Sequence, residues 1–168
     1  VYTGTGDTTD RVIDLASTTG GITLDQSGSG LLKFTSNFTA TGAGSKTLNL
    51  QGSTAGMGEI AGAVVDNSAA NKTELAKSGT GAWALSGPNT YTGGTTVNGG
   101  VLTYRRTQAK PATGTTSVGA AGTLGLGVGG AGYFSSTDVD DLFAGSLANV
   151  SMNAASGVGI DTSAGDFT

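Results

Sequence analysis

The chain has 168 residues, 31 of them glycine, with 36% hydrophobic and 12% charged residues and a net charge of −4. That is enough length for one buried core and too little charge for a disordered chain. It has no His and no Cys, which excludes Ser-His-Asp and Cys-His nucleophile chemistry, Cys- or His-based zinc sites and any disulfide.

The opening "VYTGTGDTTDRVIDLAS" shows no signal peptide and enters a strand pattern within about ten residues. Strand-like segments follow at 11–17, 21–26, 31–39, 46–51, 59–65, 73–77, 82–86, 95–98 and 101–105, joined by Gly-, Ser- and Asn-rich turns. The longest apolar run, Ile60 to Val65, is broken by Gly62. It falls far short of the roughly 20 residues that a membrane helix needs, so no span is expected.

The chain repeats itself. "LDQSGSGLLKF" (Leu24 to Phe34) lies over "LAKSGTGAWAL" (Leu75 to Leu85) without a gap, and "GTLGL" (Gly122 to Leu126) answers "GAWAL" (Gly81 to Leu85) further on. "GAGSKTLNLQG" (Gly42 to Gly52) is a looser echo. These spacings suit pairs of coils, each of roughly 20 to 25 residues, within the range of solenoid repeats.

Parity is clearest from 75 to 97. Leu75, Lys77, Trp83, Leu85, Asn89, Tyr91 and Val97 all occupy odd positions, while the even ones are nearly all Ala, Ser, Thr or Gly. Period two means strands with one face to a core and the other to water. After Asn98-Gly99-Gly100 the phase changes, and Leu102 and Tyr104 carry the large side chains at even positions. One extra residue in a turn or bulge accounts for it. Lys77 is read as exposed, with Glu74 or Glu59 as a candidate partner. Asn89 is read as an amide satisfying a turn, and Tyr91 as a core or ladder residue; a sugar-stacking role for Tyr91 is the functional alternative.

Arg105, Arg106 and Lys110 are too few to make a phosphate-binding patch, so no nucleic-acid partner is expected. The Gly-rich "GLGVGGAG" (Gly125 to Gly132) has no Lys and is read as tight turns, not a phosphate loop. A short helix is predicted within Ser136 to Ala148, with Ser136 or Thr137 as its cap. Asp138, Asp140 and Asp141 there admit a paired-carboxylate or calcium reading, but the expectation is an acidic helix start, whose replacement by Asn would abolish no activity. The sequons at Asn37, Asn71 and Asn149 need no function in so Ser- and Thr-rich a chain. "VGIDTSAGDFT" still alternates where the sequence stops, so a segment of a longer protein with open strand edges at both ends is expected.

Helical periodicity is otherwise absent, and ten aromatics among so many glycines suit the narrow interior of a parallel β-helix of about six to eight coils. A β-sandwich is the alternative.

Leu75, Lys77, Gly79, Gly81, Trp83, Leu85, Ser86, Gly87, Asn89, Tyr91, Gly93, Thr95, Val97, Gly100 and Leu102 resemble, position for position, the autotransporter-associated β-strand repeat. Pro88 is a mild departure in a turn. The resemblance implies a right-handed parallel β-helix in a secreted or surface-displayed bacterial protein, attached to the outer membrane if it is a true autotransporter. On this reading residues 1–168 form a single solenoid segment whose best repeat is 75–102, and whose role is structural and adhesive, without enzymatic activity. Its partners would be further copies of itself, edge to edge or laterally, neighbouring repeats of the same chain, or cell-surface polysaccharide. A carbohydrate-active or carbohydrate-binding β-helix is the runner-up. No residue receives a catalytic, cofactor-binding or metal-binding role, and no cofactor is expected.

Overall fold

A computed structural model describes residues 1–18, 20–53 and 56–166. Its strands alternate between two sheets. The first contains β1 (Asp7–Thr9), β3 (Leu31–Phe34), β5 (Met57–Ile60), β7 (Ala82–Leu85), β9 (Gly100–Tyr104), β11 (Gly122–Gly127) and β13 (Gly157–Asp161), stacked in that order. The second contains β2 (Gly20–Asp25), β4 (Lys46–Gln51), β6 (Thr73–Lys77), β8 (Thr95–Val97), β10 (Thr116–Val118) and β12 (Val150–Met152). Each strand pairs in parallel with the strand two along the chain, and among the described residues no strand pair is antiparallel. This is a parallel β-helix, and the sandwich alternative falls, because its sheets would need antiparallel neighbours.

Registers in the first sheet set the coil lengths. Asp7 pairs with Leu32, Leu31 with Met57, Met57 with Ala82, Ala82 with Val101, Gly100 with Gly122 and Thr123 with Gly157, so successive coils advance 25, 26, 25, 19, 22 and 34 residues. The last advance is long because it carries helix α1 (Ser136–Ala144) between β11 and β12.

Inward side chains form columns along the axis. One runs Leu32, Gly58, Trp83, Leu102, Leu124, Val158, and beside it runs Phe34, Ile60, Leu85, Tyr104, Leu126, Ile160. The indole of Trp83 lies over Gly58 and stacks on Phe34 with centroids 6.5 Å apart, and its Nε1–H donates to the Gln51 carbonyl at 2.9 Å. From the second sheet come Ile22, Leu48, Leu75, Thr95, Thr116 and Val150. The two inward threonines are paired: the Tyr91 hydroxyl shares a hydrogen bond with Thr95 at 2.6 Å, and the Tyr104 hydroxyl lies 2.9 Å from Thr116. Burial pushes both phenols above their ordinary pKa, so the network stays protonated.

The odd-position face from 75 to 97 is the buried one, and Leu102 and Tyr104 are buried on the shifted phase. Gly100, with φ of 63°, sits at the turn where the phase changes. Three strand predictions run too long. Residues 11–17 hold a single bridge, Asp14 to Thr39, and the strands expected at 31–39 and 59–65 end at Phe34 and Ile60. Their remaining apolar residues, Leu15, Phe38 and Val64, are buried on a third, irregular side of the coil that continues to Tyr91. There, single bonds such as Phe38 N–H to Ala63 O and Thr90 N–H to Val64 O replace a ladder. Strands β10, β12 and β13 lie beyond the last predicted strand; β11 was anticipated through "GTLGL", and β13 in part through the alternating "VGIDTSAGDFT".

The cap of helix α1 lies one residue before Ser136 and two before Thr137, the two expected caps. Ser135 is the N-cap: its side chain accepts from the Asp138 N–H, while the Asp138 carboxylate accepts from the Ser135 N–H at 2.7 Å. Gly145, left-handed at φ of 72°, ends the helix short of Ala148. Val139 and Leu142 face the core.

Candidate functional site

The acidic stretch does structural work. Asp138 closes the capping box, and Asp141 Oδ1 accepts from the Ser146 hydroxyl at 2.9 Å at the other end of the helix. Among the described residues no group of three or more Asp, Glu, His or Cys is placed to hold a metal. Gly125 to Gly132 leaves β11 and turns through Gly129 and Gly130, with a bridge from Val128 to Phe134, and the depression beside the turn is lined by Tyr133, Phe134, Ser135, Ser136 and Asp166. Among the described residues no helix is long and apolar enough to cross a membrane.

Polar side chains join coil to coil instead. The Asn89 amide is buried, accepting from Val64 N–H at 2.8 Å and donating to Ala109 O at 2.7 Å, and Tyr91 is core, not a platform for sugar. All three sequon asparagines are engaged: Asn37 accepts from Ala63 N–H, Asn71 from Gly44 N–H, and Asn149 donates to Ala112 O. Asp66 accepts from the backbone and hydroxyl of Thr92 one coil away and from Thr73 N–H. Asp14 binds the hydroxyls of Thr39 and Thr41, and these bonds hold its carboxyl below the ordinary range.

Lys77 is not exposed, and neither Glu74 nor Glu59 pairs with it. It is fully buried, in the column of Leu24, Leu50 and Val97, and its ammonium donates to the carbonyls of Ser78 (2.6 Å), Gly79 (3.3 Å) and Gly99 (3.0 Å). Glycine-rich turns leave carbonyls bare enough to solvate it. Lys46, buried in phase with Leu48 and Leu50, meets the carbonyls of Gly42, Ala43 and Gly44 in the same way. Gln26 plugs the turn after β2, accepting from Gly28 N–H at 2.7 Å. Sequence reasoning missed Lys46 and Gln26, although both stand at inward parity; parity outranked polarity at each.

Burial lowers the Lys77 pKa from 10.5 to about 8. An unfolded lysine keeps a pKa of about 10.4. Between these values the unfolded chain binds more protons, so this residue makes the fold more stable as pH rises from about 8 towards 10.4, and that contribution is lost as pH falls back through 8. The melting temperature of wild type relative to Lys77→Met is therefore expected to rise between pH 7.5 and 9.5. A constant difference across that range would show that Lys77 titrates normally.

The basic trio is dispersed. Arg105 is ion-paired to Glu59 and Asp161, and Arg106 lies over the Tyr133 ring at 4.9 Å. Lys110 is partly desolvated, which lowers its pKa. The outer face of the second sheet carries Thr23, Asn49, Ala76, Thr96, Ser117 and Ser151 in one register column. A shallow depression of about 420 Å³ opens there between Thr47, Glu74, Thr96 and Ser117.

Residues 75–103 match the passenger-associated-transport-repeat family. Over 105 residues, 60% of its length, the chain is 43% identical to the adhesin BmaC autotransporter of Brucella suis biovar 1 (strain 1330). It spans about 3% of the length of that relative. No solved structure matches the chain. The chain thus carries an autotransporter passenger repeat where the parity is most regular, and its place is the cell surface or the extracellular space.

Proposed function

We propose that this chain is a segment of an adhesive passenger: a stiff β-solenoid that extends a surface stalk and presents hydroxyl- and amide-rich faces to neighbouring chains, host surfaces or polysaccharide. The observation that carries the reading is the unbroken parallel pairing of strands from β1 to β13, with inward columns running from Leu32 and Phe34 to Val158 and Ile160 and ending on strands that pair on one side only. Such a stack lengthens by adding coils without changing its cross-section. Similarity to an adhesin supports the adhesive part. The segment acts without catalysis, and its acids serve as caps and inter-coil bonds. If the passenger is a true autotransporter, the stalk is held at the outer membrane.

Carbohydrate binding is the second reading, favoured by the outer face of β4, β6, β8 and β10, where Thr47, Glu74, Thr96 and Ser117 line a polar depression. Beads coated with the segment are expected to adhere to cultured cells or to one another and to leave a panel of neutral and acidic polysaccharides uncleaved. Inert beads would remove the adhesive role, and reproducible turnover of any glycan would make the chain an enzyme.

A further inference from the structure

The outer face of the first sheet holds side chains that parity assigns to water yet that are buried: Glu59 is 2% exposed and Ala84 0%. Glu59, on β5, is covered from several coils. Lys33 of β3 approaches its Oε1 at 3.2 Å, the Ser86 hydroxyl just after β7 donates to the same oxygen at 2.7 Å, and Arg105 just after β9 donates from Nη1 to Oε2 at 3.0 Å. Arg105 also reaches the other way, its Nε lying 3.3 Å from Asp161 Oδ2 on β13.

In a solenoid each coil ordinarily contacts only its two neighbours, so stability is a sum of nearest-neighbour terms and the end coils fray first. The Arg105 contacts break that rule. Between Glu59 and Arg105 stands the coil of β7, which offers only Ala84 and Ser86; between Arg105 and Asp161 stands the coil of β11, whose residue opposite Asp161 is Gly127. Small residues let the long guanidinium lie along the sheet, where its charge faces two carboxylates: Nη1 hydrogen-bonds Glu59, while Nε, which makes no hydrogen bond, is ion-paired with Asp161. From β5 to β13 is four strand spacings, about 19 Å at ~4.8 Å each.

We infer that Arg105 is an ionic tie between coils that do not touch, binding the last, helix-bearing coil to the middle of the stack so that β13 opens together with β5 and not alone. The tie is polar and partly exposed, so salt weakens it.

Hydrogen exchange tests it in the intact 168-residue chain. Glu59→Gln is expected to speed exchange of the β13 amides at least fivefold, although Glu59 makes no contact with β13. Arg105→Gln should do the same, and combining the two should add little. Raising NaCl from 0.05 to 1 M should accelerate β13 in wild type but not in Arg105→Gln, and Arg106→Gln should leave β13 unchanged. Because Glu59 is buried, Asp161→Asn provides the reverse reading, with faster exchange expected in β5. Acceleration confined to β3, β5 and β7 after Glu59→Gln, or an unchanged β5 after Asp161→Asn, would overturn the tie and return the stack to nearest-neighbour behaviour.

Discussion

Gly58→Val is expected to abolish stable folding of the central coils. A Cβ at position 58 would stand 2.4 Å from the Trp83 ring, and that ring has nowhere to go. It is 1% exposed, stacked on Phe34 and tethered through Nε1 to Gln51 O. Accommodating valine means expelling the indole, which costs about what a buried Trp→Ala change costs, ~3–5 kcal/mol, with overpacking of the backbone added. Against a total stability of roughly 5–15 kcal/mol for a domain, that is enough to leave much of the chain unfolded. The chain has one tryptophan, so its fluorescence during urea unfolding reports on this site alone. Gly159→Ala is the control, since its Cβ would meet nothing closer than 3.6 Å and its φ needs no glycine. Trp83→Leu should partly rescue Gly58→Val by vacating the space, read by circular dichroism because that variant has no tryptophan. A Gly58→Val protein within about 1 kcal/mol of wild type would show that the column is not packed as described.

The same column shows why much of the fold was legible and where legibility ended. The match of Leu24–Phe34 to Leu75–Leu85 is in true register over the first sheet, where Leu32 meets Trp83 through Gly58 and Phe34 meets Leu85 through Ile60. Over the second sheet it slips by two. Leu24 stacks on Leu50 and Lys77, while Leu75 stacks on Leu48 and Ile22. Turns between the sheets differ in length from coil to coil, so an ungapped alignment can follow only one sheet at a time. Parity survives a slip of two, which is why the burial of 75 to 97 was readable although part of the register was not.

Polarity misled at Lys77. A lone lysine at inward phase reads as surface on composition alone, and only the turn that folds back reveals carbonyls of Ser78, Gly79 and Gly99 around its ammonium. The reverse error hid Glu59, which occupies outward phase. Its cover comes from Lys33, Ser86 and Arg105, 26 or more residues away in sequence and near only once the coils are stacked. The third side was overread as strand because its apolar residues continue the pattern of the preceding strand, while its backbone bonds are partly supplied by Asn37 and Asn89 side chains. Of the α1 acids, Asp138 was read correctly as part of the helix start, but the cap was placed late because three hydroxyl residues precede Asp138 and only reciprocal bonding singles out Ser135.

Concentration-dependent association of the isolated chain is the second large effect expected. β1 and β13 are the outer strands of the first sheet, and β2 and β12 those of the second, so each end presents backbone donors and acceptors on its free side. Inward residues there are less covered than in the middle. Leu48 and Leu50 are fully buried, whereas Ile13, Ile22 and Leu24 at one end, and Val150, Met152 and Val158 at the other, are only partly so; Ile160 is 37% exposed. Helix α1 shields some of this end, sharing a cleft with Met152 and Val158, yet it leaves its own Phe143 67% exposed. The final two residues of the alternating C-terminal stretch lie outside the described residues. A coil added at either end, from the same polypeptide or from a second copy, continues both ladders, and at the β13 end it also covers the apolar column positions Val158 and Ile160. Sedimentation velocity from micromolar to millimolar protein is therefore expected to show a rising average mass, with end-to-end growth lengthening the particle without thickening it. Ile160→Lys should hold the mass down by placing a charge in the column at the β13 edge, while Phe143→Ser, beside that column, should lower it less. A strict monomer at millimolar concentration would mean that both edges are closed in solution, and growth unaffected by Ile160→Lys would move the contact away from the β13 edge.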